Sequence, residues 1–336
     1  MIILMKRESS DEQLQQVLHM LSENELRAKV INENTKKLIY VSGDLKKLKM
    51  NIRMMPGVER YIDLSVQKRI TEICKDKKRD LLKIDNEEIG GRKLTMIAGP
   101  CSVEGYEQIL ETAKFISATG GKFLRGGAYK PRTSPYSFQG TGLEGLKILR
   151  SVAKETGLKC VSEVTSEKYL DSCMKYCDVL QVGTRNMQNF ELLREIGKTK
   201  FPVILKRGYA STVEEWLNAA EYIVYGGNEN VILCERGIRT FENSTRYTLD
   251  ISAIPVIKKK CSLPIIVDPS HAAGHTEYVK SLALAAVAAG ADGLMVEVHP
   301  NAKFALSDCF QQLNFEQYED LCIGVKSIAR AVKREI

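Results

Sequence analysis

From Leu94 onward, apolar runs of about six residues alternate with stretches of helical periodicity. The runs are LTMIAGPC, KFLRGGAY, KCVSEV, VLQVGT, PVILKRG, VILCERG, PIIVDPS and GLMVEVHP. A glycine (Gly120, Gly157, Gly197, Gly226 or Gly290) repeatedly stands ahead of the next run, where a helix would end. Strands that are apolar almost throughout, separated by helices, predict a parallel sheet covered on both faces. Eight βα units in roughly 240 residues fit a closed (β/α)8 barrel, the TIM barrel. An open doubly wound sheet also accommodates eight strands, but no GxGxxG follows the first run, so the barrel is favoured.

The pattern before Leu94 is different. IILMKR reads as a short strand. SSDEQLQQVLHMLSENE reads as a helix, with Leu14, Val17, Leu18 and Leu21 on one face and Ser10 or Asp11 as its cap. RAKVINEN and KKLIYVSGD follow as strands, GDLKKLKMNIRMMPG as a weaker helix and GVERYIDLS as a closing strand. The order βαββαβ predicts a ferredoxin-like domain over residues 1–64. Residues 65–80 are highly charged and read as a linker, and LLKIDNEEIGGRKLTMI as a hairpin whose second arm runs into the first barrel strand. The expected organisation is thus 1–64, a linker and barrel-capping hairpin over 65–92, and a catalytic barrel over 93–336.

Composition narrows the function classes. The chain has 336 residues, 44% hydrophobic and 27% charged, with a formal net charge of +7, mild for this length. That charge suits acidic small molecules, and no RNP, zinc-finger or helix-turn-helix signature points to nucleic acid. The most apolar stretch, SLALAAVAAGADGLMVEV, is broken by Gly290, Asp292 and Gly293, so no membrane span is expected. MIILMKRE is too short an apolar run for a signal peptide. Nine scattered cysteines argue against a disulfide framework and for a reducing cytoplasm, with Cys173 and Cys177 read as packing residues.

In such barrels the C-terminal ends of the strands form the active-site face. Those ends carry Cys101, Arg125, Glu163, Arg185, Lys206 with Arg207, Glu235 with Arg236, Asp268 with His271, and Glu297 with His299. So many ionisable groups on one face point to an enzyme. Closure makes the seventh, eighth and first strands neighbours, so Cys101, His271 and Glu297 converge, and Asp308 in the last loop can reach them. A thiolate, an imidazole and two carboxylates suit one divalent transition metal with an open position for substrate. A second group is cationic: Arg125 and Lys130, Arg185, Lys206 and Arg207, Arg236 and Arg239. Cations facing one cavity repel unless anions enter, which predicts small, multiply anionic, phosphorylated substrates. Arg207 and Arg239 are the members most prone to be solvated rim charges.

IAGPCSVEG (97–105), LRGGAYKPRTSPYSFQG (124–140), GTRNMQNF (183–190) followed by LLREIG, LKRG (205–208), LCERGIRTFE (233–242), DPSHAAG (268–274) and VEVHP (296–300) together resemble 3-deoxy-D-arabino-heptulosonate-7-phosphate (DAHP) synthase. The resemblance is to the type I enzymes of the beta subgroup, which carry an N-terminal ferredoxin-like extension. It covers the barrel from about residue 90 to the end, in order, with KPRTS and CERGIRTFE its most specific parts.

The resemblance implies condensation of phosphoenolpyruvate with erythrose 4-phosphate, the first step of the shikimate pathway. By motif, Cys101, His271, Glu297 and Asp308 would bind the metal, which the ligand set leaves open among manganese, iron, cobalt and zinc. Arg125, Lys130 and Lys206 would hold the phosphoenolpyruvate carboxylate side, and Arg185 and Arg236 its phosphate. Lys130, Pro131, Arg132 and Thr133 would receive erythrose 4-phosphate, Glu163 would stand near the attacked carbon, and Lys130 would donate the proton. Prolines around these cations would keep them fixed, so that binding an anion costs little ordering entropy. Thr184 stands where the family has a small alanine, His275 falls at no metal-binding motif position, and His299 is either a support for the site or structural. The extension implies feedback inhibition by tyrosine or phenylalanine, and the family precedent is a homotetramer. Two alternatives are the sister synthase acting on arabinose 5-phosphate, whose loop after the second strand differs, and a non-catalytic amino-acid sensor.

Overall fold

The computed structural model describes residues 1–33, 36–48, 51–62 and 81–335. The chain divides into two compact units, Met1–Ile73 and Cys74–Ile336. The predicted linker over 65–80 lies outside the described residues.

In the first unit, β1 (Ile2–Met5), α1 (Asp11–Glu23), β2 (Arg27–Glu33), β3 (Lys36–Ser42) and β4 (Val58–Ile62) form an antiparallel sheet in the order β2-β3-β1-β4, with one long helix. This is the ferredoxin-like strand order. A capping box starts α1: Ser10 Oγ accepts from Gln13 N–H, and Gln13 Oε1 accepts from Ser10 N–H, both at 3.2 Å. Leu14, Val17, Met20 and Leu21 are buried against Ile3, Met5 and Ile39, while Leu18 packs at the edge of that core. The weaker helix read over 43–57 is instead two 3₁₀ turns, Leu45–Lys47 and Ile52–Met54, among the described residues. Asn51 explains the second start, because its side chain accepts from Arg53 N–H and diverts the backbone from a continuous helical ladder.

In the second unit, β5 (Leu82–Ile84) and β6 (Glu87–Ile89) form a hairpin, turned at Asp85. Its second arm does not run into the barrel. Gly90, at φ 101°, breaks the strand, and β7 begins only at Thr95. Eight parallel strands then close a ring: β7 (Thr95–Gly99), β8 (Phe123–Arg125), β9 (Lys159–Glu163), β10 (Val179–Val182), β11 (Val203–Lys206), β12 (Val231–Glu235), β13 (Ile265–Val267) and β14 (Gly293–Glu297). The ring is sealed by β14 against β7, from Gly293 opposite Thr95 to Glu297 opposite Gly99. Between the strands run helices that bury one face each, such as α2 (Tyr106–Ala118), α3 (Gly142–Thr156) and α4 (Leu170–Tyr176). The eight cysteines among the described residues are free, and Cys173 and Cys177 are buried.

The barrel interior is layered. Ile97, Phe123, Val161, Val179, Ile204, Ile232, Ile266 and Met295 form an apolar layer, closed beneath by Leu82, Ile84 and Ile89 of the hairpin. Side chains two residues further along a strand point the same way. Adding two therefore gives Arg125 above Phe123, Glu163 above Val161, Gln181 above Val179, Lys206 above Ile204, Asp268 above Ile266 and Glu297 above Met295. The apolar floor and the polar layer above it come from one alternation. Among the described residues, no helix is long and apolar enough to cross a membrane.

The hairpin makes a stability prediction. Ile89 is fully buried, so Ile89→Ala should cost about 2–5 kcal/mol, read as a lower urea midpoint at unchanged slope. A loss below about 0.5 kcal/mol would mean that the hairpin does not complete the core.

Candidate active site

The DPSHAAG segment builds its own scaffold. Asp268 caps a short helix, Pro269–Ala273, with Pro269 at its first position and Gly274 in the left-handed conformation at its end. Asp268 Oδ1 accepts from His271 N–H at 2.9 Å, and Oδ2 lies 2.7 Å from His271 Nδ1. With Nδ1–H donating to Asp268, Nε2 is left facing Glu297 Oε1 at 3.5 Å and Asp308 Oδ2 at 3.7 Å. Burial holds the imidazole below its usual pKa despite Asp268 and Glu297, which keeps it neutral near pH 7.

Asp308 reaches this point because its loop is zipped to two neighbours. Leu313 N–H donates to Glu297 O, and His299 N–H to Leu313 O, at 2.8 and 3.0 Å. The hydroxyls of Ser102 and Ser307 are 2.7 Å apart, and Leu306 N–H donates to Glu104 at 2.9 Å. Asp308 itself sits at φ 48°, a conformation that Asp tolerates better than bulkier residues. One ligand atom each from Cys101, His271, Glu297 and Asp308 then lies within 4.8 Å of the others.

Cys101 is fully buried at the base of this cluster, with its N–H donating to Gln312 and its Sγ 3.4 Å from Asp308. Burial and the charge of Glu297 push its thiol up to about 12. Lys130 Nζ lies 3.0 Å from Sγ and donates to Cys101 O at 3.1 Å. That fold-back needs Gly127: a Cβ there would meet Lys130 Cδ at 2.8 Å and Cys101 O at 2.9 Å. Burial pulls the Lys130 ammonium down, but Cys101, Glu163 and Glu297 outweigh it and leave its pKa raised. Glu297 is held by Arg125 at 2.8 Å and by Gln311 at 2.6 Å.

Above the cluster opens a cavity of about 120 Å³. Its lining includes Arg125, Lys130, Pro131, Arg132, Thr133, Glu163, Arg185, Lys206, Arg236, His271 and Asp308, with Thr184 beside Arg185. Cys101 and Glu297 lie beneath it. Lys206 pairs with Asp268, so one buried carboxylate touches both the histidine and a cavity lysine. Arg185 and Arg236 differ, having no carboxylate partner among the described residues. Arg236 is 3% exposed and its Nε has no hydrogen-bond partner.

Arg207 departs from the sequence-based expectation. It does not face the cavity. It pairs with Glu235 at 2.8 Å and Asp250 at 2.7 Å, and its guanidinium lies over Trp216 on the outer side of the barrel. Successive strand residues point to opposite faces, so Arg207 must turn away if Lys206 turns in. Arg239 is exposed. His275 lies near Tyr278 and Phe310, apart from the four-residue cluster. His299 is buried, accepts from Asn301 N–H at 3.0 Å and lies 3.5 Å from Glu104.

Sequence reasoning passed over several residues of the site. Arg246 lines the cavity and lies 3.4 Å from Asp308 and 2.8 Å from Gln311. Gln311 and Gln312 hold Glu297 and the Cys101 backbone, and Tyr209 and Gln181 line the cavity. Gln181 was recoverable by adding two to the apolar layer. Arg246, Gln311 and Gln312 sit in long loops with no periodic signal.

Comparison with known proteins agrees with this architecture. Residues 75–333 match the DAHP synthetase I family, and residues 1–65 match the DAHP synthase ferredoxin-like domain. A phospho-2-dehydro-3-deoxyheptonate aldolase from Thermotoga maritima is 43% identical over 333 residues, covering 99% of this chain and 98% of that one. The crystal structure of DAHP synthase from T. maritima superposes with a TM-score of 0.91 at 42% identity, covering 99% of this chain and 98% of that one. A 2-dehydro-3-deoxyphosphooctonate aldolase from Desulfosudis oleivorans is 31% identical over 264 residues, covering 73% of this chain and 94% of that one. The chain belongs to the DAHP synthetase I family.

Proposed function

We propose that this protein is a metal-dependent DAHP synthase, condensing phosphoenolpyruvate with erythrose 4-phosphate to give DAHP and phosphate at the first step of the shikimate pathway. The observation that carries this reading is the four-donor cluster lying directly beneath a cation-lined cavity. The sister activity on arabinose 5-phosphate has less support, because the matching octulosonate aldolase is less similar and covers a smaller share of the chain.

The donor set fits a divalent cation. One thiol, one neutral imidazole and two carboxylates offer ligand atoms within 4.8 Å of one another, and a thiol pushed up to about 12 by its surroundings would lose its proton beside such a charge. Cys101, His271, Glu297 and Asp308 would hold the ion, which supplies Lewis-acid polarisation of the aldehyde carbonyl.

The remaining work falls to the protein's own side chains. Arg185 and Arg236 lack carboxylate partners among the described residues, which suits them to the phosphate of phosphoenolpyruvate, a dianion that neutralises both. Arg125, Lys130 and Lys206 keep spare donors despite their buried partners, and they take the singly charged carboxylate side. Pro131, Arg132 and Thr133, with Lys130, receive erythrose 4-phosphate on the open side of the cavity. The enol carbon then attacks the aldehyde carbon, and Glu163 stands where positive charge develops on the adjacent carbon. Water adds there and phosphate departs with C–O cleavage. Lys130, kept as an ammonium by its anionic neighbours, donates a proton to the new alkoxide.

The ferredoxin-like unit supports a regulatory role as the receptor for tyrosine or phenylalanine. Cytoplasmic location and a homotetramer complete the proposal.

Three measurements test it. Phosphate release from the two substrates should fall to background on chelation and return with manganese, iron, cobalt or zinc; turnover that survives exhaustive chelation would remove the metal. Lys130→Met should abolish turnover while metal still binds, and a near-normal rate would refute its role as acid. Deleting residues 1–64 should leave activity and eliminate feedback, whereas persistent inhibition by both amino acids would locate the effector site elsewhere.

A further inference from the structure

Seven cations line this cavity, and four of them are paired with carboxylates. Arg125 has Glu297, Lys206 has Asp268, and Arg132 and Arg246 share Asp308. Arg185 and Arg236 are balanced in another way. Tyr209 and Tyr247 stack with ring centroids 5.2 Å apart. The Arg236 guanidinium lies 4.1 Å from the Tyr247 centroid and 5.2 Å from that of Tyr209, and Arg185 lies 5.7 Å from Tyr209.

A carboxylate and an aromatic face do different things to a guanidinium. The carboxylate occupies N–H donors and cancels the charge. The ring face attracts the cation through its quadrupole, takes no in-plane N–H and leaves the charge intact. Arg236 is a buried cation of this kind, its Nε without a hydrogen-bond partner and its Nη1 donating to Gly237 O at 3.4 Å. The platform is itself anchored. Tyr247 N–H donates to Ala272 O at 2.9 Å, Ile238 and Thr248 bridge the base of the intervening loop, and Arg239 N–H donates to Tyr209 O. Gly237 permits the fit, since a Cβ there would meet Tyr247 Cβ at 2.7 Å.

We propose that the stacked Tyr209–Tyr247 pair is a positioning platform that holds Arg185 and Arg236 un-neutralised for a phosphate dianion. Neither tyrosine is a catalytic residue; both act through the arginines. The inference rests on the assignment of Arg185 and Arg236 to the phosphate of phosphoenolpyruvate.

The test uses the full chain loaded with Mn²⁺, with phosphoenolpyruvate binding measured by calorimetry and turnover by phosphate release. Tyr247→Leu should weaken phosphoenolpyruvate binding roughly 10-fold, about 1.4 kcal/mol, and raise its KM by the same factor. kcat should stay within about twofold and Mn²⁺ affinity should be unchanged, which a general loss of structure would not spare. Tyr247→Phe keeps the ring and should bind within about twofold of wild type. Tyr209→Leu should weaken binding in the same sense through Arg185. Wild-type binding by Tyr247→Leu, an equal loss in Tyr247→Phe, or a parallel loss of Mn²⁺ affinity each overturns the platform. Arg236→Ala separates the two levels. If it too binds like wild type, the phosphate assignment falls and the platform with it; if it loses binding while Tyr247→Leu does not, only the platform falls.

Discussion

The last barrel strand pairs with the first over five residues, and this pairing brings Glu297 opposite Gly99. Everything chemical in the molecule depends on it. Cys101 follows β7, Glu297 ends β14 and His271 follows β13, so the three share a centre only in a closed ring. Register matters as much as closure. Sliding a strand by one residue would turn Arg125, Lys206 or Glu297 outward and bring its neighbour in, because successive side chains alternate faces. Arg207 and Glu235 occupy that outward position and make an ion pair there. Gly99 allows the close approach, since a Cβ would stand 2.1 Å from the Arg125 carbonyl oxygen.

Concentrating so many cations in one place is an electrostatic problem that the fold answers in two ways. Beneath and beside the cavity, buried carboxylates neutralise Arg125, Lys206 and Arg207, because an unpaired charge there would be costly to desolvate. At the wall, aromatic faces hold Arg185 and Arg236 without cancelling them. The first solution gives rigidity, and the second keeps positive potential available to an entering anion. Asp268 joins the halves of the site, with one oxygen facing both the His271 ring and Lys206.

The loop after β8 is closed at its ends by backbone hydrogen bonds. Lys130 N–H donates to Gln139 O and Gly142 N–H to Ala128 O, which ties the loop into a closed turn. Within it Lys130 is folded back and buried, whereas Thr133 and Tyr136 are exposed. The stiffness expected from Pro131 and Pro135 is therefore shared with this backbone closure and with Gly140, whose Cβ would strike the Ala128 carbonyl oxygen at 2.2 Å.

The barrel was legible because its apolar runs and helix-ending glycines are local signals that recur, and the four-donor cluster because Cys101, His271 and Glu297 end or follow strands made adjacent by closure. Asp308 could be assigned to the cluster only as a loop residue able to reach it; the bonds from Ser307, Leu306 and Leu313 that bring it there join distant segments. The second helix of the small unit was overestimated because apolar spacing says nothing about a side chain such as Asn51 capturing the backbone. Sequence alone determined which residue types sit at strand ends, and so the chemistry available. Tertiary structure decided which way each one faces and which charges are cancelled, because Lys206 and Arg207 are adjacent cations in the sequence that only the alternation of strand faces separates.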